Sequence, residues 1–260
     1  MRKITAALLL SIAMLLSTAG LALAQKVYIN GIDANFPPFA YVNAQGQPEG
    51  FDIDMLAWIA NDLGIKIEHK PMEWSGIVAS LQAKKIDLIA SGLSVTPERA
   101  KQIDFSTPYF VTDIVLVVKN DSNLTVDQIM KAEKKVIIGA QLGTPEAKWL
   151  KDHEGKDDFT YGLRIYDSSP MAVEDIMNGR IVAAAMDHSP AEDAVSKKAV
   201  KILGEFGMEK EVFAIGFNKN NTELNEKINA SLEKLMQTDY WKELQAKYLS
   251  DYGQAADGGS

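Results

Sequence analysis

Short β-rich runs alternate with helical stretches from Val27 to Met236, and that pattern confines the chain to βαβ units wrapped around mainly parallel sheets. Lys26 to Ile32 reads as the first strand. Leu56, Ile59, Ala60 and Leu63 fall at i, i+3, i+4 and i+7, which predicts a helix from Asp52 to Leu63 with Gly64 as its stop. Strands are expected over Ile65 to Lys70 and Ile86 to Ala90, with a helix between them capped by Ser75 and running to Lys84. Thr96-Pro97-Glu98 offers a cap, a first-turn proline and an early acid for another helix. A second set of units begins near Ile114. It has expected strands over Ile114 to Val118, Lys134 to Ala140, Ile181 to Met186 and Val212 to Phe217. Its expected helices are Pro170 to Asn178, ended by Gly179, and the amphipathic Glu223 to Met236. Residues Gln254 to Ser260 read as a disordered tail.

Ahead of the first strand, Arg2 and Lys3 precede an apolar run from Ile4 to Leu16 that leads to Ala22-Leu23-Ala24. This reads as a secretory signal peptide over residues 1–24, cleaved after Ala24; the run is shorter than the roughly 20 residues of a spanning helix. The sequence has no cysteine. An exported chain of that kind has no cysteine-borne lipid anchor, disulfide, thiolate metal site or Cys nucleophile, and it depends on burial for stability. Removing 24 of the 260 residues leaves 236, a comfortable length for two domains. Loss of Arg2 and Lys3 takes the formal charge from −8 to −10, which argues against nucleic acid and anionic membrane as partners. The mature protein is expected to be a periplasmic monomer.

Ligands of open α/β sheets collect beyond the carboxyl ends of the strands. Asp33 and Phe36 follow the first strand; Ser91, Gly92 and Ser94, with Arg99, follow the strand ending at Ala90; Gln141 and Thr144 follow Ala140; Asp187 follows Met186. Arg99 can grip a carboxylate through two parallel hydrogen bonds and Asp187 can answer an ammonium, a pair suited to a zwitterion. Spacing alone equally allows Arg99 as a solvent-facing helix residue and Asp187 as a helix N-cap. Phe36 and Trp74 offer flat faces for a side-chain stem or a guanidinium, or else fill the core. Phe39 is assigned to the core.

Five stretches then carry a resemblance: Gly31-Ile32-Asp33 with Pro38-Phe39, Gly50-Phe51-Asp52-Ile53-Asp54, Trp74-Ser75-Gly76-Ile77, Ser91 through Arg99, and Ile103 through Phe110. In this order behind a signal peptide they resemble the polar amino-acid-binding proteins of solute-binding protein family 3, which serve ABC importers. A thinner likeness continues through Gln141-Leu142-Gly143-Thr144, Gly179-Arg180 and Asp187 to the C-terminal helix. The resemblance implies an α/β, two-lobed periplasmic-binding-protein fold, each lobe a mainly parallel sheet flanked by helices. Residues 25–111 and 214–253 would form lobe one and 112–213 lobe two, with two hinge crossings and closure around the ligand. It implies a membrane ABC permease as partner and neither cofactor nor metal. It also implies that Arg99 with the Ser94 amide holds the ligand α-carboxylate and Asp187 with the Gly92 carbonyl the α-ammonium. Phe36 and Trp74 would flank the ligand side chain, Asp33 and Gln141 would meet its distal end, and Ser91 and Thr144 complete the set. Pro145 departs from the pattern, because the family usually presents a backbone N–H there and proline has none.

Two other readings share the fold. A periplasmic dehydratase acting on prephenate or arogenate needs a general acid aimed into the cleft; Glu192 is the nearest acid after Asp187, and no motif turns it inward. His69 and His153 are isolated, and His188 has no second ligand at metal spacing. A sensing subunit that reports to a receptor is the third reading. Asp33 suits arginine, lysine, histidine or glutamine side chains, basic ones slightly favoured, and repels acidic ones.

Overall fold

The computed structural model describes residues 26–132, 136–156 and 158–249. The signal segment, the start of the strand expected from Lys134 and the C-terminal tail lie outside the described residues. The first elements are β1 (Val27–Ile32), β2 (Asn35–Phe36), β3 (Ala40–Val42), β4 (Pro48–Glu49), α1 (Phe51–Leu63), β5 (Lys66–Pro71), α2 (Ile77–Gln82), β6 (Leu88–Ile89), α3 (Pro97–Ala100) and β7 (Ile103–Phe105). β1 pairs in parallel with β5 and β6, the result that strand–helix–strand alternation demands. α1 stops where foreseen: Gly64 adopts φ 64° and its N–H returns to the carbonyls of Ala60 and Asn61.

The chain then crosses through β8 (Phe110–Thr112) into β9 (Ile114–Lys119), α4 (Val126–Met130), β10 (Ile137–Gln141), α5 (Pro145–His153), β11 (Gly162–Tyr166), α6 (Ser169–Met177), β12 (Ala183–Asp187), α7 (His188–Lys197) and β13 (Val200–Glu205). These build a second sheet in the order β11-β10-β12-β9-β13. β10 is parallel to both neighbours, while β9 runs antiparallel to β12 and β13. The chain returns through β14 (Glu211–Phe213), which pairs antiparallel with β8 as a two-stranded ribbon. β15 (Gly216–Asn218) then enters the first sheet, whose order is β5-β1-β6-β15-β7. α8 (Thr222–Met236) and α9 (Asp239–Tyr248) cover α1. The fold is therefore α/β and two-lobed, with a helix-flanked and mostly parallel sheet in each lobe.

Three local expectations change. The strand expected over Val212 to Phe217 is two strands in two sheets, because the backbone leaves the ribbon at Ala214–Ile215 before joining β6 and β7. Ser75 caps nothing; it lies inside a 3-10 turn, Trp74–Gly76, and the helix begins at Ile77. The buried strand after it shrinks to Leu88–Ile89. α9 was not foreseen, since it buries little beyond Trp241 and Leu244 and so shows a thin apolar stripe.

Phe39 sits at the centre of the first core, fully buried. Its ring centroid lies 5.0 Å from Phe110 of β8 and 5.0 Å from Phe213 of β14, with Phe51 of α1 at 6.1 Å. The aromatic cluster thus fastens the crossing ribbon to the first lobe. Phe39→Ala is expected to cost about 3–5 kcal/mol of unfolding free energy, measured by urea denaturation; a loss under about 1 kcal/mol would show that the ribbon is held by other contacts.

Candidate ligand site

The loops after β1 and β6 face those after β10 and β12 across the interlobe cleft. After β6 the chain turns at Gly92 with φ 58°, and a Cβ there would run into the Phe36 ring, so only glycine fits this loop. The Gly92 N–H donates to Asp52 Oδ2 at 2.7 Å, and the same oxygen accepts from Tyr109 Oη at 2.9 Å. Asp52 on α1 therefore fixes the Gly92 loop from behind. Ser91 Oγ accepts from the Asp33 N–H at 3.0 Å and so sets the loop after β1. Thr96 caps α3 by accepting the Arg99 N–H.

Arg99 is buried rather than solvent-facing, at 8 % exposure. Its guanidinium donates from Nη1 to the Ser94 carbonyl at 2.8 Å and from Nη2 to the Gly143 carbonyl of the opposite lobe at 3.0 Å. It stacks over the Trp74 ring, 5.4 Å from the centroid. Gly143 has φ 84°, and a Cβ there would stand 3.2 Å from Ser75 Cα. A second bond joins the lobes: Gln141 Nε2 donates to Asp33 Oδ2 at 2.6 Å, while Ser169 Oγ donates to Gln141 Oε1 at 3.0 Å.

Asp33, Phe36, Trp74, Ser91, Gly92, Ser94, Gln141, Thr144 and Asp187 line one narrow cavity, together with Pro145 and Glu146. The structure thus brings together nine of the ten residues singled out from the sequence. The tenth, Arg99, borders the adjoining crevice with Gly143, Thr144 and Pro145. Several of the nine have duties within the protein. Asp33 and Gln141 are bonded to each other, the Thr144 hydroxyl caps α5 and donates to the Gln141 carbonyl, and Ser91 holds the Asp33 loop. Asp187 stands at the N-cap position of α7, yet its side chain makes no capping bond.

Several buried polar atoms without a partner fall at or beside this cavity. Trp74 Nε1, Asp187 Oδ1, Glu146 Oε2 and Glu211 Oε2 are buried without a hydrogen bond, a donor and several acceptors in one place. Burial, then the nearby Glu146 and Glu211 carboxylates, push Asp187 well above its ordinary value. Burial and then Glu211 push Glu146 up to about 8, and burial raises Glu211, offset in part by its bond with Ser94. Roomier crevices flank the cavity, but none of these four atoms belongs to a residue lining them. Neither Glu146 nor Glu211 was foreseen. Glu146 reads from sequence as an acid in a first helical turn, where the dipole favours it, and Glu192 lies outside this cavity.

The profile of the bacterial extracellular solute-binding proteins, family 3, matches residues 28–251. The chain belongs to this family. Among similar members is the L-cystine-binding protein TcyJ of Escherichia coli strain K12, 29 % identical over 224 residues that cover 84 % of this chain and 81 % of that protein. Among solved structures, an ancestral arginine-binding protein bound to arginine is 34 % identical, covers 86 % of this chain and 98 % of its own, and superposes with a TM-score of 0.78. The ancestral amino acid-binding protein AncCDT-1, a precursor of cyclohexadienyl dehydratase, is 29 % identical with the same score, covering 86 % and 96 %.

Asp52 gives the site a pH signature. Burial lifts its carboxyl from an ordinary 3.8 to about 7, so the folded state holds the proton more tightly than the unfolded chain. The stability this lends is full below about pH 4 and is lost as pH rises through 7. Asp52→Asn resembles the protonated acid, one oxygen still accepting from Gly92 and Tyr109. The variant is expected to flatten the decline in unfolding free energy between pH 4 and 8, read from urea curves; wild-type and variant profiles that run parallel would disprove it.

Proposed function

We propose that this family 3 protein captures a free amino acid, a basic one by preference, between its lobes outside the cytoplasm and delivers it to a membrane ABC permease. The observation that carries this reading is the convergence of nine residues singled out from the sequence, from both lobes, on one cavity that contains an unpartnered donor and unpartnered carboxylate oxygens. In this reading Asp187 answers the ligand ammonium and Trp74 and Phe36 flank its side chain. Arg99 exchanges the Gly143 carbonyl for the ligand carboxylate, and Asp33 exchanges Gln141 for the distal cation. The cavity has space for about one water molecule, so entry requires the lobes, 25–111 with 214–253 and 112–213, to part about the β8–β14 ribbon.

A second reading has one observation behind it. Glu146 is a buried acid facing the cavity and held protonated near neutral pH, the group that a dehydratase would need. Prephenate mixed with the protein and followed by ultraviolet absorbance distinguishes the two, with no turnover expected.

A thermal-shift screen of all amino acids is expected to raise the melting temperature with arginine, lysine or histidine, since ligand at about 100 times its Kd adds about 2.7 kcal/mol. Arg99→Ala should weaken that ligand by at least about 100-fold in calorimetry, in line with the 3–5 kcal/mol lost when a buried ion pair loses one partner. A screen without any shift removes the amino-acid reading.

A further inference from the structure

The cleft carries more negative charge than a zwitterion calls for. Asp33, Glu146 and Asp187 line the cavity, and Glu211 adds a fourth carboxylate from β14. The one guanidinium that all of Glu146, Asp187 and Glu211 feel is Arg99. An amino acid that docks its carboxylate on Arg99 brings a further anion into this group. Ionised, Glu146 repels that anion from a site too dry to screen the repulsion. Neutral, it offers an O–H, and a hydrogen bond from a neutral acid to a carboxylate is among the stronger kinds.

The position of Glu146 makes the second arrangement the productive one. Pro145, the first residue of α5, has no N–H to direct at an anion, and Glu146 follows it directly at 1 % exposure with Oε2 unpartnered. We infer that Glu146 is a specificity-determining residue of the site: as a neutral acid it donates to the ligand carboxylate in place of the N–H that Pro145 lacks, so amino-acid binding takes up a proton.

The surroundings agree. The groups set against Glu146 are Glu211 from the ribbon, Asp187 from the end of β12, Arg99 from α3 and the Thr144 hydroxyl just before its own helix, which is hydrogen-bonded to its carboxyl; two of the four are acids. On its own helix Lys148 and Asp152 pair with each other at the surface, and Arg164 of β11 is turned toward Asp175. Burial and Glu211 raise its proton affinity to about 8, so near neutral pH the neutral form is at hand.

This inference rests on the amino-acid reading, and the experiment separates the two. Arginine binding is measured by calorimetry between pH 6 and 9, at each pH in two buffers of different ionisation enthalpy. Relative to Glu146→Gln, the wild type is expected to take up as much as one proton more above about pH 7.5, with an affinity that falls toward tenfold more per pH unit once free Glu146 is ionised. Glu146→Gln, whose amide N–H also donates, should bind arginine with a shallower pH dependence and without that extra proton, since the titrations of Asp187 and of the ligand ammonium are common to both proteins. Glu146→Leu, which has no donor, should bind more weakly at every pH. Glu211→Gln removes a neighbouring charge and keeps the donor, so its fall in affinity should begin at lower pH. Melting curves confirm that each variant folds, and Glu211→Gln still tests the proposal if the Glu146 variants do not. Arginine binding with equal proton uptake in the wild type and Glu146→Gln overturns this inference alone, as does an unchanged pH profile in Glu146→Gln. Failure of arginine, lysine, histidine and glutamine to bind at any pH overturns both readings.

Discussion

One buried guanidinium organises the surface between the lobes. A cation taken out of water must be compensated by hydrogen bonds and nearby anions, and Arg99 obtains carbonyls from Ser94 on its own lobe and Gly143 on the other. That requirement reaches further than the two bonds. It draws the lobes so close that residue 143 must be glycine against Ser75, it places the Trp74 ring beneath the cation, and it permits three carboxylates to be buried nearby. The Gln141–Asp33 bond repeats the logic at the far end of the cavity. Under the proposed function, a ligand and the lobe contacts would draw on the same donors and acceptors, and exchange between them would replace one polar partner by another, with little net cost.

The sequence was legible where structure is periodic and local. The i, i+3, i+4, i+7 spacing before Gly64 and the Thr96-Pro97-Glu98 cap describe elements complete in themselves, and both helices form where expected, although α3 is only one turn long. It was illegible where one apolar run serves two sheets. Val212 to Phe217 has the composition of a single strand, but Phe213 is required beside Phe39 while Phe217 is required between β6 and β7, and only the long-range pairings reveal the break. Ser75 has the residue type of a cap and lies inside a turn instead, because Trp74 must pack beneath Arg99.

The candidate site divides in the same way. The rule that ligands gather at strand ends depends on topology alone, and eight of the residues it picked line one cavity, with Trp74, picked as a loop aromatic, as the ninth. Partnership within that set depends on the distance between lobes, which no local pattern encodes, so Asp33 and Gln141 looked like ligand contacts and are bonded to each other. Glu146 was hidden for a related reason. Its place in a first helical turn suits an exposed acid, whereas its proton affinity is raised by burial and by Glu211, a neighbour supplied by a segment far along the chain.

Those neighbours tie the charge of the cleft to the crossing ribbon. On β14 the side chains alternate, with Glu211 hydrogen-bonded to Ser94 at the site and Phe213 buried in the aromatic core beside Phe39 and Phe110. Only a two-residue step separates the group that sets the electrostatics of the cleft from the group that anchors the crossing. Lys210, just before the ribbon, pairs with Asp113 just after β8 at 2.9 Å, but the lysine is largely exposed and such a pair contributes little; the aromatic contacts hold the ribbon. Phe213 therefore ties the ribbon to the first core, while Glu211, two residues earlier, is turned to the site. Glu211 and Ser94 reach Arg99 from the ribbon and the loop after β6, and Glu146 and Asp187 reach it from α5 and the end of β12. Like charges from separate segments are thus gathered around one guanidinium, and the ribbon that joins the lobes also supplies part of the cleft's charge.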